Sequence, residues 1–193
     1  MKKWHKVALA VIVIIGILIA VKSCVDKKNP DITFAYIGDG FVNREAFEEN
    51  VKSLDELVED IDSDGEKNVD LMEISFNEEL GAADRQNAMQ KMANALGQGA
   101  ARVYFIEEKY VINNAEAGVF ADISDLGEGY KNSDGETVAI SIKDNKKVSL
   151  LGIDTDEDIY LAVRIVSEID ELTDKHIDEK HESAMNIARY ILN

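Results

Sequence analysis

The 193-residue chain has one cysteine (Cys24), one proline (Pro30), one tryptophan (Trp4) and three histidines. A lone cysteine excludes an internal disulfide, so the folded part must rely on core packing. His5 precedes an apolar run, and His176 and His181 are five apart, on different sides of a helix, so the spacing of a zinc-binding helix is missing. No G-x-S-x-G elbow and no Walker loop occurs, and Gly38-Asp39-Gly40 is too short to cradle a phosphate. Nothing in the chain argues for an enzyme; a hydrolase with dispersed catalytic residues is the one catalytic alternative. Positive charge is scarce, with 21 Lys and Arg against 38 Asp and Glu, a net charge of −17. Such a surface repels phosphate backbones and anionic headgroups, which argues against nucleic acid and leaves cations or basic proteins as attracted partners. No Gly/Ser-rich stretch divides the chain, and its length suits one ordinary core.

The first feature that is present is the run VALAVIVIIGILIAV at 7–21, preceded by Lys2, Lys3 and Lys6. Fifteen residues rise only ~22 Å as a helix against a hydrocarbon core of ~30 Å, and Trp4, His5 and a snorkelling Lys22 can supply the rest. The flanks are poor cleavage sites, so residues 7–24 read as an uncleaved signal anchor, with residues 1–6 cytoplasmic by the positive-inside rule. A lipoprotein attached through Cys24, and a cleaved signal peptide, are the alternatives. The first 28 residues hold six lysines and one aspartate, so the remainder is more acidic than the whole. Residues 25–31 form a linker and residues 32–193 an extracellular domain at the cell membrane.

In that domain ITFAYI at 32–37 is a β-branched and aromatic strand ended by Gly38-Asp39-Gly40. Asn43 can cap a helix with Glu45 in its first turn and Phe47, Val51, Leu54, Val58 and Ile61 along one stripe. A strand at 69–76 places Val69, Leu71 and Glu73 on one face and Asp70, Met72, Ile74 and Phe76 on the other. A helix follows at 83–96, with Met89 and Met92 as core filler, then a buried strand at 103–106 and a helix at 107–117. This alternation predicts right-handed crossovers and a parallel sheet. Segments 138–142 and 148–153 suggest a hairpin, 160–166 another strand, and 182–192 a terminal helix with Ala184, Met185, Ala188, Ile191 and Leu192 on its apolar side. The fold class is α/β, a three-layer domain with a mixed, mostly parallel sheet covered by helices, preceded by a single N-terminal transmembrane helix.

The segment DIDSDGEKNVDL at 60–71 has the opening of a calcium loop. Asp60, Asp62 and Asp64 supply hard oxygen donors, Gly65 permits the bend, and Glu66 can offer its carbonyl. Leu71 stands where an EF-hand has its bidentate glutamate, and a strand leaves the loop where a helix would. A weak extracellular calcium site, with Asp70 able to add donors, and a solvated Asx-rich turn are both compatible with it. Calcium is the one cofactor the sequence admits. Asn132–Gly135 reads as a plain turn, and Asp154, Asp156, Glu157 and Asp158 as a solvated acidic connector.

The order of ITFAYIGDG, a helix, VDLMEISF, DRQNAMQKMANALGQGAARVYFI and EEKYVINNAEAGVFADISDL resembles the first lobe of a type II, periplasmic-type solute-binding protein, with Val119–Leu126 matching a phrase common there. It is also similar to small membrane-anchored extracellular proteins of Gram-positive bacteria with an AYIG strand and a D-x-[DN]-x-D-G loop. The likeness covers residues 31 to 126 well and the last third loosely. It implies a ligand site at Gly38, Asp39 and Gly40 and at Asn77 and Glu78. A complete protein of that class closes two lobes over its ligand, and this chain has residues for about one. The expectation is a non-catalytic binding or accessory module, associated with a transporter or other membrane assembly; its alternative is a calcium-binding interaction or adhesion module.

Overall fold

The computed structural model describes residues 30–77, 80–143, 145–147 and 151–193. Its centre is set by β1 (Ile32–Gly38), whose side chains alternate between two separate cores. Ile32, Phe34 and Tyr36 enter one core, and Ala35 and Ile37 the other, as the two-residue period of a strand requires. Strand β3 (Val69–Ser75) divides in the same way: Val69 and Leu71 go to the first core, Met72 and Ile74 to the second. The face assignment made from sequence therefore holds. Both β3 and β4 (Val103–Glu107) pair parallel to β1, in register Phe34↔Leu71 and Phe34↔Val103.

Six strands form one mixed sheet in the order β3-β1-β4-β8-β6-β5, with β5 Tyr130–Lys131, β6 Thr137–Ser141 and β8 Ile159–Val163. The pairs β4–β8, β8–β6 and β6–β5 are antiparallel. Consequently β3, β1, β4 and β6 point one way and β8 and β5 the other. The parallel strands β3, β1 and β4 make up one half of the sheet and the antiparallel pairings the other, so the antiparallel part is wider than a single edge strand.

The first core is covered by α1 (Arg44–Asn50), the 3-10 helix Val51–Leu57 and α5 (Ile177–Leu192). Asn43 caps α1, its Oδ1 accepting the Ala46 N–H at 3.1 Å, and Phe47, Val51, Leu54 and Val58 are buried as their spacing predicts. The expected single helix from 44 to 61 tightens to 3-10 geometry after Asn50 and ends at Leu57. In α5 the buried residues Ala184, Ile187, Ala188 and Ile191 form the inner stripe, and the two alanines leave room for close approach to the sheet. The second core lies under α2 (Ala82–Gln98) and α3 (Glu108–Asn114), through Ala88, Ala95, Leu96 and Val111. Met92 packs there, but Met89 is 58% exposed and is not core filler: the small residues Ala88 and Ala95 fill the contact instead.

Among the described residues, no hairpin pairing joins 138–142 to 148–153. Strand β6 pairs with β5 and β8, while β7 (Ile153–Asp154) joins β2 (Phe41–Val42) in a separate antiparallel ribbon. The expected strand lies partly outside the described residues, which also exclude the anchor at 7–24, Cys24 and Glu78. Among the described residues no helix is long and apolar enough to cross a membrane. A short helix missed in the sequence, α4 (Glu168–Thr173), precedes α5.

Candidate functional site

The chain leaves β1 toward β3 on one side and returns to β4 on the other, so the carboxyl ends of β1 and β4 flank the switch point at which open α/β sheets place ligands. Gly38, Asp39 and Gly40 stand at the end of β1, and Glu107 is the last residue of β4. Glu107 is fully buried. Its Oε1 accepts the Tyr36 hydroxyl at 2.7 Å, the Thr155 hydroxyl at 2.8 Å and the Gly40 N–H at 3.2 Å, while Oε2 accepts the Asp39 N–H at 2.9 Å. The Gly40 N–H is shared with the Tyr36 oxygen at 3.0 Å. A buried carboxylate needs such a set of donors, because otherwise its desolvation is not compensated.

This network explains why the turn is G-D-G. A Cβ on Gly38 would lie 2.6 Å from the carboxyl carbon of Glu107, and one on Gly40 would lie 2.8 Å from Cβ of Thr155. Both glycines are required by close approach rather than by a left-handed backbone. Burial and the neighbouring Glu107 carboxylate push the Tyr36 phenol above its ordinary value, so it stays a donor. The backbone N–H groups that would greet an external anion at a Gly-rich turn are here taken by the protein's own carboxylate.

Asp39 projects outward from the turn. Its Oδ1 accepts the Tyr110 hydroxyl at 2.8 Å and its Oδ2 is ion-paired with Lys109. Burial, then the bond to Asp39, raises Tyr110. Lys109 is raised on balance: partial burial opposes its charge, and the Asp39 carboxylate overcomes that. The Phe76 and Tyr110 rings stack at 4.9 Å. Together Asp39, Phe76, Arg85, Lys109 and Tyr110 line a shallow cleft of about 490 Å³. It offers an aromatic platform, one acid and two cations, a set suited to holding a small polar or zwitterionic solute by one side. Of the residues assigned from sequence, Gly38 and Gly40 shape this end and Asp39 lines it. Asn77 is exposed next to the strand end, its N–H 3.4 Å from the Ser75 hydroxyl. Glu107, Tyr110 and Thr155 were missed. An acid closing an otherwise apolar strand was the available signal for Glu107.

A second cluster forms at the acidic loop. The carboxylates that converge are Asp31, Asp60 and Asp62, with ligand oxygens within 4.8 Å of one another. Asp31 was read as linker; it is buried, its Oδ1 accepting the Ile61 N–H and its Oδ2 the Asn68 N–H, each at 2.7 Å. Asp64 and Glu66 are outside this group, because the Asp64 Oδ1 turns to accept the Glu66 N–H at 2.8 Å. Asp60 accepts the Asp64 and Gly65 N–H groups at 3.1 and 2.9 Å, and Asp62 the Asp64 N–H at 3.1 Å. These are Asx-type bonds that shape the loop through its own backbone, with Ser63 and Gly65 at positive φ. Three hard carboxylates at this spacing fit a calcium ion by donor type, and the oxygens keep lone pairs beyond the backbone bonds.

At the opposite end of the sheet, Arg102 and Arg164 converge on Asp170. All three are nearly inaccessible, at 4, 3 and 5% exposure. Arg102 lies 3.3 Å from Asp170 Oδ1, and Arg164 is ion-paired with Oδ2. Oδ2 also accepts the Ser167 hydroxyl at 2.7 Å and its N–H at 3.0 Å, closing the capping box of α4. Arg164 further donates to the Leu96 and Gly97 carbonyls at 3.1 and 3.3 Å, closing the carboxyl end of α2. Burial alone would raise Asp170, but the Ser167 bonds and the two guanidinium groups hold it down at about 2. Every partner of this triad is internal, so it is a structural clamp and not a site. No family model, curated protein or solved structure matches the chain.

Proposed function

We propose that the chain is a membrane-tethered extracellular binding module, non-catalytic, related in design to one lobe of a type II solute-binding protein and associated with a transporter or another membrane assembly. The observation that carries this reading is the switch point: a buried Glu107 fixes the Gly38-Asp39-Gly40 turn and presents Asp39, Tyr110 and Lys109 to a cleft with Phe76 and Arg85. The apolar run at 7–21 with its lysine flank supports the tether. Glu107, the buried acid at this end, is occupied by donors of the turn and its neighbours, which supports a binding rather than a catalytic part for it. One open side with a rigid floor suits a ligand completed by a partner surface, because a single lobe leaves such a solute half exposed.

The test is a thermal-shift screen of the full chain in detergent against amino acids, short peptides and sugars. A ligand at a hundredfold excess over its Kd should add about 2.7 kcal/mol, which for a domain of this size raises Tm by roughly 5–10 °C. The gain should vanish in Asp39→Ala. If no compound shifts melting and cross-linking in native membranes captures no partner, the reading fails.

The convergence of Asp31, Asp60 and Asp62 favours a second reading, a calcium-binding interaction module. In a millimolar-calcium compartment a weak site of this kind would fill. Stabilisation by calcium but not by magnesium, lost in the double variant Asp60→Asn with Asp62→Asn, would support it; identical melting with calcium and with a chelator would remove it.

A further inference from the structure

The helix α4 (Glu168–Thr173) is inside out. Its one buried residue is Asp170, whereas Ile169 and Leu172 are 68% and 86% exposed. An ordinary surface helix of a folded domain buries its apolar side chains and exposes its acids. Here the ion pairs of Asp170 with Arg102 and Arg164 hold the helix in place, and its apolar side chains take no part in that attachment. Ile165, 41% exposed, adds to the same apolar edge just ahead of the helix.

The position of the helix says what lies against it. Pro30, where the described chain begins, lines the same groove of about 790 Å³ as Leu172. Eight residues, 22–29, separate Pro30 from the apolar run that ends at Val21. Fully extended, eight residues span at most ~30 Å, less than the ~40 Å breadth of a domain of this size. If the run is in a bilayer, the Pro30 side of the domain is held next to it. We propose that α4 is a membrane-facing tip: Ile169 and Leu172 insert into the headgroup–acyl boundary of the bilayer that carries residues 7–21. This rests on the tethered reading given above.

Two apolar side chains would be a weak anchor for a free protein. Attached to the membrane already, the domain meets the bilayer at a high effective concentration, so a small apolar contact is enough to orient it. The acids on the same helix, Glu168 and Glu171, and Asp62 in the same groove oppose anionic headgroups; Lys175 offsets them only in part, and Lys180 is ion-paired with Asp174 at 2.6 Å. Insertion is therefore driven by apolar burial, and it is deeper in zwitterionic than in anionic bilayers. The result is a fixed posture in which the switch-point end, at the far end of β4 from Arg102, faces away from the membrane.

The experiment uses the full chain in phosphatidylcholine vesicles containing brominated lipid, with Trp4→Phe as background and Leu172→Trp as reporter. Leu172 is exposed, so the substitution leaves the core intact. The reporter's fluorescence should fall at least about twofold against unbrominated vesicles. A matched reporter at Asp156→Trp, exposed in the turn before β8 at the switch-point end, should not change. Adding Ile169→Asp should reduce the quenching at 172, and so should replacing half of the lipid with phosphatidylglycerol. Alkaline carbonate extraction separates the two readings. Retention in the vesicles without quenching at 172 overturns the membrane-facing tip and leaves the tether standing; release from the vesicles overturns both. Equal quenching at 172 and 156, or a spectral shift at 172 that follows protein concentration in detergent alone, also overturns the tip, the latter in favour of a second copy of the chain.

Discussion

At one end of the sheet Glu107 is held by two hydroxyls and two backbone N–H groups; at the other, Asp170 is held by two guanidinium groups, a hydroxyl and one N–H. Both acids are buried, and both are saturated with donors. The difference lies in what each arrangement fixes. Two of the donors around Glu107 are the N–H groups of the turn, and Lys109 lies 3.6 Å from its Oε2, so this acid shapes a solvent-facing loop and sets Asp39, paired with Tyr110 and Lys109, at the cleft. The guanidinium groups around Asp170 reach from β4 and β8 to the ends of α2 and α4, so that acid joins elements and presents nothing chemical to solvent. A buried acid thus marks a site in one case and a clamp in the other; what its donors belong to, a solvent-facing turn or the buried joints between elements, separates them.

The largest expected effect breaks the clamp. Asp170→Ala leaves Arg102 and Arg164 buried without a counter-charge and should cost about 3–5 kcal/mol, read as a fall in Tm of about 10 °C. A loss below about 1 kcal/mol would show that the triad is ornamental. At the other end, Glu107→Ala strands the Tyr36 and Thr155 hydroxyls and the two turn N–H groups, a loss of roughly 3 kcal/mol. Its specific signature is faster amide exchange at Asp39 and Gly40, which Asp170→Ala should not produce. Equal exchange at these amides in wild type and Glu107→Ala would contradict the assigned role of the carboxylate.

The third effect is a pH dependence. The folded-state pKa of Asp170, about 2, lies below its ordinary 3.8. The group therefore contributes stability that is fully present above the unfolded value and is lost as pH falls from about 4 toward 2, in all about 2 kcal/mol. Urea midpoints measured between pH 5 and pH 2 should decline less steeply in Asp170→Asn than in wild type; parallel slopes would sink the assignment. The smallest effect belongs to Tyr110→Phe. It removes one partly buried bond to Asp39, costs less than about 1 kcal/mol of stability, and should weaken any ligand found at the cleft more than it lowers Tm.

Much of the frame was legible because it rests on local rules. Ile32–Ile37 alternates into two cores, Asn43 caps α1, and Phe47, Val51, Leu54 and Val58 recur at helical steps. The site was half legible. Gly38-Asp39-Gly40 could be marked as a strand end, but its partner Glu107 is 71 residues from Tyr36 and 48 from Thr155, and neither separation leaves a local signal. Asp31 looked like linker for the same reason: its carboxylate joins the acidic loop only after β1 and β3 lie side by side. Helix α4 defeated pattern reading outright, since its apolar residues face out and its acid faces in.

By itself the sequence determined the alternation of strands and helices, the faces of β1 and β3, and the acidic balance of the chain, since backbone geometry and side-chain period act within a few residues. Tertiary structure decided which acids were buried with donors and which were left in solvent. It also decided that Asp31 rather than Asp64 completes the acidic cluster, and that β7 pairs with β2 rather than β6. Those outcomes depend on desolvation and on donors supplied from distant parts of the chain, quantities that exist only once the sheet has formed.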